Sequence, residues 1–473
     1  MPRLRSSSSA SGCRRAAPSR RCGAPCWAWH ERAGPLPSAN PGAPCAEGGP
    51  VSAVATSTSS TTARGWDGLR YGAPGFPLAF VALPLYVALP NHYAAEFGVP
   101  LAALGAVLLA ARLLDALIDP WIGRWADALL DRSAHAAWLA MAGAAVVLAL
   151  GFRGLFFPLV STGTAALLAW CGILLVVTYL AYSVISVIHQ AWGARLGGDE
   201  PARATVVAWR EGLALCGVLV ASVLPSMAGL QTSTVVFAIA LCLALALMRQ
   251  APAPRRLALF PSRSLRLPFS TPAFPRLLAV YLLNGIASAV PATLVLFFIR
   301  DRLQATAYEP LFLASYFAAA AVSVPLWVRL VARLGLARSW LAGMALSVLV
   351  FAWAAALSAG DVAAYTAICV MSGIALGADL ALPAALLAGV VQQAGHAGRA
   401  EGAYFGWWNF ATKLNLALAA GIALPVLQLF GYAPGTTSAP ALQALTAAYC
   451  VLPCVMKLIA AALLWRYWIK ESR

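Results

Sequence analysis

Charge is what this 473-residue chain has least of: Asp, Glu, Lys and Arg make up 11% of it, against about 25% in a soluble domain. Acids are scarcer still, 17 against 33 bases. With 61% apolar residues and a mean hydropathy of +0.76, the composition excludes a soluble globular protein. The short alternating segments of an outer-membrane barrel are missing too. No Walker-type glycine loop, His/Cys metal spacing or Ser–His–Asp arrangement stands outside the apolar runs, which removes nucleotide-driven pumps, metalloenzymes and hydrolases. No enzymatic cofactor is expected. The net charge of +16 is no argument for nucleic acid, because the arginines collect between long apolar stretches.

Residues 1–63 stand apart from that pattern. They are rich in Ser, Ala, Pro, Gly and Arg and hold four of the ten cysteines, Cys13, Cys22, Cys26 and Cys45. No apolar core follows their arginines, so a secretory signal is excluded. A low-complexity, disordered segment is expected, either a targeting sequence or translation upstream of the true start. The other cysteines, Cys171 and Cys216 among them, lie in apolar runs and read as small packing residues.

From Tyr71 onward, apolar segments fall at approximately 72–95, 100–121, 135–156, 164–190, 205–226 and 232–249. After a basic connection they resume at 276–299, 309–333, 338–358, 362–391, 403–430 and 441–467. The fold class is therefore an all-α membrane protein with about twelve transmembrane helices in two six-helix halves, 64–249 and 276–473, joined by a linker at 250–275. Six plus six helices around a long loop is the major facilitator plan. Lys and Arg gather on one side (Arg124, Arg132, Arg195, Arg203, the linker, Arg329, Arg333, Arg338, Arg399, Arg466, Lys470), and only Arg153, Arg300 and Arg302 fall on the other. The positive-inside rule then puts both termini in the cytoplasm of a bacterial inner membrane. A monomer surrounded by lipid is expected.

The second span is the odd one. Ala111 to Arg132 reads ARLLDALIDPWIGRWADALLDR, with Arg112, Asp115 and Asp119 within eight residues. Positions four apart share a helix face, so the two carboxylates lie about 5–6 Å apart at Cβ, with Arg112 one turn before them. A charge at bilayer depth costs at least about 2.5 kcal/mol, so three together need a reason. A buried structural ion pair is one; a cation or proton site facing a water-filled cavity is the other, and the one favoured here. Lys413 sits about 15 Å into another span, too deep to snorkel, and is expected to pair with Asp115 or Asp119 across the cavity.

The stretch from Arg112 to Pro120 resembles the second-helix signature of the glycoside–pentoside–hexuronide:cation symporters, the melibiose permease-like family. Gly123-x-x-x-Asp127 with Asp131-Arg132 resembles the facilitator motif between helices 2 and 3. Ala191-Trp-Gly-Ala-Arg-Leu with Arg203 and Arg210, and Gly402-Ala-Tyr-Phe-Gly406 with Lys413 and then Gly431-Tyr432, resemble later parts of the same family. The resemblance spans about residues 66–473. It implies Na⁺ or H⁺ binding at Asp115 and Asp119, charge pairing by Arg112 and Lys413, and a gate at Gly123, Asp127 and Arg132. It implies a substrate contact at Arg210 and sets Gln190 where the family has an aromatic platform. The family's acids in helices 1 and 4 are replaced, the latter by Ser186, so the sugar-gripping half of the pattern is altered.

Ser183 and Ser186 are left as neutral helpers for the cation, which favours a proton over an under-coordinated Na⁺. His189 and Asn409 are candidate substrate contacts, although a lone histidine such as His189 is more often a satisfied core residue. Arg210 is equally a gate pair with Glu211 or Asp127, and Asp379 with Lys457 a structural pair. The function expected is cation-coupled symport of a small organic solute such as a sugar or glycoside. A carrier of amphipathic or lipid-like solutes, and a non-transporting sensor or assembly protein on the same scaffold, remain the alternatives.

Overall fold

The computed structural model describes residues 65–160, 163–255, 264–429, 431–432 and 438–470. The segment 1–63, Arg256, Arg263 and Arg473 lie outside the described residues. Everything described is helical or a short connection. The first span, 66–97, is broken into Trp66–Gly72, Gly75–Leu83 and Leu89–Phe97, with a wider turn at Pro84–Ala88, and is taken together as α1. Its four prolines remove backbone donors and account for the breaks. There follow α2 (Leu101–Arg132), α3 (Ala134–Phe156), α4 (Thr164–Arg195), α5 (Glu200–Pro225) and α6 (Met227–Met248). The second half holds α7 (Ala273–Arg302), α8 (Thr306–Leu334), α9 (Leu336–Ala354), α10 (Val362–Gln393), α11 (Glu401–Leu429) and α12 (Ala439–Lys470). Among the described residues, nine helices are long and apolar enough to cross a membrane.

The second span runs farther than its apolar run. No breaker acts after Pro120, and the helix continues to Arg132, so Gly123, Asp127 and Asp131 lie on its last turns rather than in a loop. Ser133 alone turns the chain: extended at φ −170°, its side chain accepts from the Ala136 amide at 2.8 Å and so caps α3.

Each half has its own apolar core. In the first, Phe237 of α6 stacks on Phe80 of α1 and meets Phe152 of α3 edge to face. The second half has one core around Trp340, Leu382 and Tyr404 and another, toward the far ends of its helices, around Phe298, Tyr365 and Tyr449. Ala204, Val207 and Leu215 of α5 join the Trp340 core, so α5 packs across onto the second half.

Candidate functional site

α2 and α11 cross at backbone contact. A Cβ on Gly123 would collide with the carbonyl oxygen of Gly402, and one on Gly406 with that of Asp119. The glycine pair four residues apart in α11 is thus the means by which two membrane helices of opposite halves approach closely. That crossing carries Asp115 and Asp119 of α2 against Lys413, two to three turns farther along α11. Lys413 Nζ lies 2.6 Å from Asp115 Oδ2 and 2.7 Å from Asp119 Oδ2, and donates to Ser183 Oγ at 2.7 Å. Ser183 donates in turn to Asp115 Oδ1 at 2.7 Å. Asp119 is fully buried, and its Oδ1 has no hydrogen-bond partner among the described residues. Lys413 keeps 20% of its side chain exposed, so the cluster is not completely sealed.

Three oxygens of the first half therefore surround one nitrogen of the second. Paired charges are the only affordable form at this depth, because an unpaired ion there costs several kcal/mol. Arg112, half-buried, stands one turn before Asp115 on the same helix. Ser186 does not join the carboxylates. Three residues on from Ser183, it points about 60° away around the helix and accepts from Gln190 at 2.8 Å. Gln190 also donates to Asn409 Oδ1 at 3.0 Å, a neutral link between α4 and α11. His189 is fully buried, with Nε2 2.7 Å from the Tyr71 carbonyl oxygen and its ring 4.6 Å from the Tyr71 ring, so it fastens α4 to α1. Arg210 pairs with its neighbour Glu211, Nε 2.9 Å from Oε1, and not with Asp127. Near them Tyr281 stacks on Trp408 at 3.7 Å and shares a 2.7 Å hydrogen bond with Thr412.

The end at which the arginines gather is shut. Arg195, its side chain 0% exposed, pairs with Asp127 at 2.9 Å, Asp131 at 2.7 Å and Glu401 at 2.9 Å. Asp127 also accepts from the amides of Gly402 (2.7 Å) and Ala403 (2.8 Å), orphan donors at the start of α11 where a carboxylate is favoured. Glu200 does the same for the opposite pair of elements, its Oε2 accepting from the Leu336 amide at the start of α9. Arg203 donates to Gln392 at 2.8 Å. Beneath these links the gap lined by Tyr71, Gln190, Arg210, Ala388 and Phe405 holds only about 10 Å³, too little for a solute. Arg132 ends α2 with its side chain exposed. Arg195 and Glu401 do not stand out in the sequence as partners of Asp127. The signal available was an arginine closing a motif and an acid opening a helix, both ordinary at membrane interfaces.

A second buried charge pair lies wholly inside the second half. Lys457 Nζ is 2.7 Å from Asp379 Oδ2 and 2.9 Å from Asn284 Oδ1, while Asn284, Trp340 and Ser288 all donate to Asp379. The expected pairing of α10 with α12 is present. Its polar atoms are satisfied within four helices of one half, as a structural pair requires.

The description "MFS/sugar transport protein" matches residues 70–471. No curated relative matches the chain. Among solved structures, a bacterial homologue of the iron transporter ferroportin in an outward-facing state is similar at 15% identity and a TM-score of 0.66, covering 86% of this chain and 100% of that one. A variant of the E. coli fucose:proton symporter follows at 14% identity and 0.58, covering 83% and 98%. The proton:xylose symporter bound to 6-bromo-6-deoxy-D-glucose is similar at 14% and 0.56, covering 85% and 94%. At these identities the likeness carries the fold. The family match spans nearly all of both halves and includes the paired aspartates of α2, the glycine crossing and Lys413, and on it the chain belongs to the MFS/sugar transport protein family, the melibiose permease-like transporters of the major facilitator superfamily.

Proposed function

We propose that the protein is a proton-coupled symporter of a small uncharged organic solute, a sugar or glycoside, working by alternating access. The observation that carries this reading is the ion pair of Lys413 with both Asp115 and Asp119, because it ties a titratable site in one half to a helix of the other. With all three groups ionised the cluster holds one net negative charge, and one added cation neutralises it. The ammonium already occupies the space between the three oxygens. A Na⁺ would have to displace it and would then find few ligands, Ser186 being turned to Gln190. A proton needs a single oxygen, and the free Oδ1 of Asp119 offers one.

Proton uptake by Asp119 weakens its hold on Lys413, so the bond across the halves depends on the coupling ion. Solute recognition falls to Gln190, Asn409 and the Arg210–Glu211 pair, with the Tyr281–Trp408 stack as an apolar face for a sugar ring. Gln190 and Asn409 are hydrogen-bonded to each other across the two halves and are freed as the halves part, while Arg210 is held by Glu211 on its own helix. The arginine-rich end is read as cytoplasmic, which makes the present state closed to the cytoplasm. Tags after Met248 and Lys470 should then report the cytoplasm and a tag in 300–309 the opposite side.

The experiment that tests the reading is a thermal-shift screen of the purified protein against sugars, glycosides, carboxylates and lysolipids, with and without Na⁺. A ligand at 100 times its Kd stabilises by about 2.7 kcal/mol. A sugar or glycoside should shift the midpoint without Na⁺ and then accumulate in proteoliposomes on a proton gradient. A response to lysolipids alone, or accumulation that tracks only a Na⁺ gradient at clamped pH and potential, would contradict it.

A further inference from the structure

On the flank of the first half, α3 and α6 run side by side and leave between them a groove of about 830 Å³. Its floor is made of small or buried side chains, Ala142, Ala145 and Leu241 among them, and its rim of exposed Val146 and Leu150. The groove runs from Trp138 to Leu150, twelve residues of α3, or about 18 Å at helical rise. That is close to half of a hydrocarbon core of about 30 Å. It is therefore one leaflet deep and opens onto lipid.

Its mouth is built differently from its floor. Trp138 Nε1 donates to the Leu245 carbonyl oxygen at 2.9 Å, which holds the indole across the end of the groove. The guanidinium of Arg249 rests over that ring, 5.5 Å from its centroid, with Gln250 beside it. Arg249 is exposed and has no carboxylate partner among the described residues, so the ring orients its charge without neutralising it. This end is the arginine-rich end of the protein, where a headgroup would lie.

From this geometry we infer that the α3–α6 groove is a binding site for one anionic phospholipid of that leaflet, its acyl chain along the alanine floor and its phosphate on Arg249. Any lipid covers an apolar flank in a membrane; the charge fixed at the mouth is what selects an anionic one. Attraction of a single arginine for an anionic headgroup corresponds to about fivefold in affinity. The site is separate from the Asp115–Asp119–Lys413 cluster and stands whatever solute the protein carries.

The full-length protein, purified in detergent, is titrated with phosphatidylglycerol, with phosphatidylcholine of the same chains, and with soluble glycerol phosphate. Bound lipid is counted by native mass spectrometry, and the melting midpoint is followed in parallel. Phosphatidylglycerol should be retained at one copy and raise the midpoint, whereas phosphatidylcholine should bind about fivefold more weakly and glycerol phosphate do nothing. Arg249→Gln should erase the preference between the two lipids. Ala246→Trp, at an exposed position on the groove wall, should block retention of both while leaving Arg249 in place. Equal retention of the two lipids by the unaltered protein, or an unchanged preference in Arg249→Gln, would overturn the inference. So would a shift with glycerol phosphate alone, which means a soluble-anion site, or a concentration-dependent dimer lost in Ala246→Trp, which means a second copy covers the groove.

Discussion

Replacing Arg195 by Gln removes one cation from among three carboxylates. Asp127 and Glu401, 3% and 1% exposed at their side chains, are left without a counter-charge and sit on opposite halves of the protein. Breaking a buried pair by removing one partner costs about 3–5 kcal/mol, and at 1.4 kcal/mol per factor of ten that is about two to three and a half orders of magnitude. The cost falls on the closed state alone, because parting the halves returns both carboxylates to water. The variant should therefore open at this end rather than unfold. Ala388, buried in the gap below the Arg195 cluster, is the reporter: Ala388→Cys in a background free of other cysteines, labelled by a membrane-impermeant thiol reagent. Where opening is fast relative to labelling, the rate follows the open population. It should rise by at least about a hundredfold in Arg195→Gln and fall back when Glu401→Gln is added. An unchanged labelling rate would refute the claim that this cluster holds the end shut.

The glycine crossing is tested by Gly402→Val, whose side chain would run into the Gly123 carbonyl oxygen and crowd Asp127; overpacking of this kind costs about 1–3 kcal/mol, seen as a lower melting midpoint together with faster Ala388→Cys labelling. In the second half, Asp379→Asn alone should lower stability by about 3–5 kcal/mol, and Asp379→Asn with Lys457→Met should restore most of it, since an apolar replacement of a buried pair is close to neutral. Outside the membrane, between α10 and α11, burial and the nearby Arg399 hold the His396 imidazole below its usual range, with Nδ1 2.8 Å from the Tyr404 hydroxyl. The unfolded chain then keeps a proton that the folded chain releases, so this stabilisation is full above about pH 6.5 and is lost as the pH falls toward the lowered folded value. Melting midpoints at pH 5.5 and 7.5 should differ more in the unaltered protein than in His396→Gln.

The parts of the site that were legible in the sequence are those where physics forbids the residue without a partner. Asp115, Asp119 and Lys413 lie too deep to stand as unpaired charges, and their meeting follows from that cost even though about 300 positions separate the aspartates from the lysine. Asp379 and Lys457 were legible for the same reason. What was not legible is direction around a helix and the use of interfacial charge. Ser183 and Ser186 look alike in sequence, yet three residues of rotation send one to Asp115 and the other to Gln190. Arg195 and Glu401 sit where arginines and acids commonly face water, and only the crossing of α2 with α11 buries them. The end of α2 was read short because its apolar run ends near Trp121, whereas hydrogen bonding carries the helix to Arg132.

In the proposed cycle Asp119 carries the coupling ion, and the path of the solute does not depend on its charge. The direct measurement compares Asp119→Asn with the unaltered protein in proteoliposomes, using the solute found in the screen, once for accumulation on an imposed proton gradient and once for exchange of solute at equal concentrations. Loss of accumulation with exchange partly preserved is the predicted result. Accumulation by Asp119→Asn at the unaltered level would contradict it.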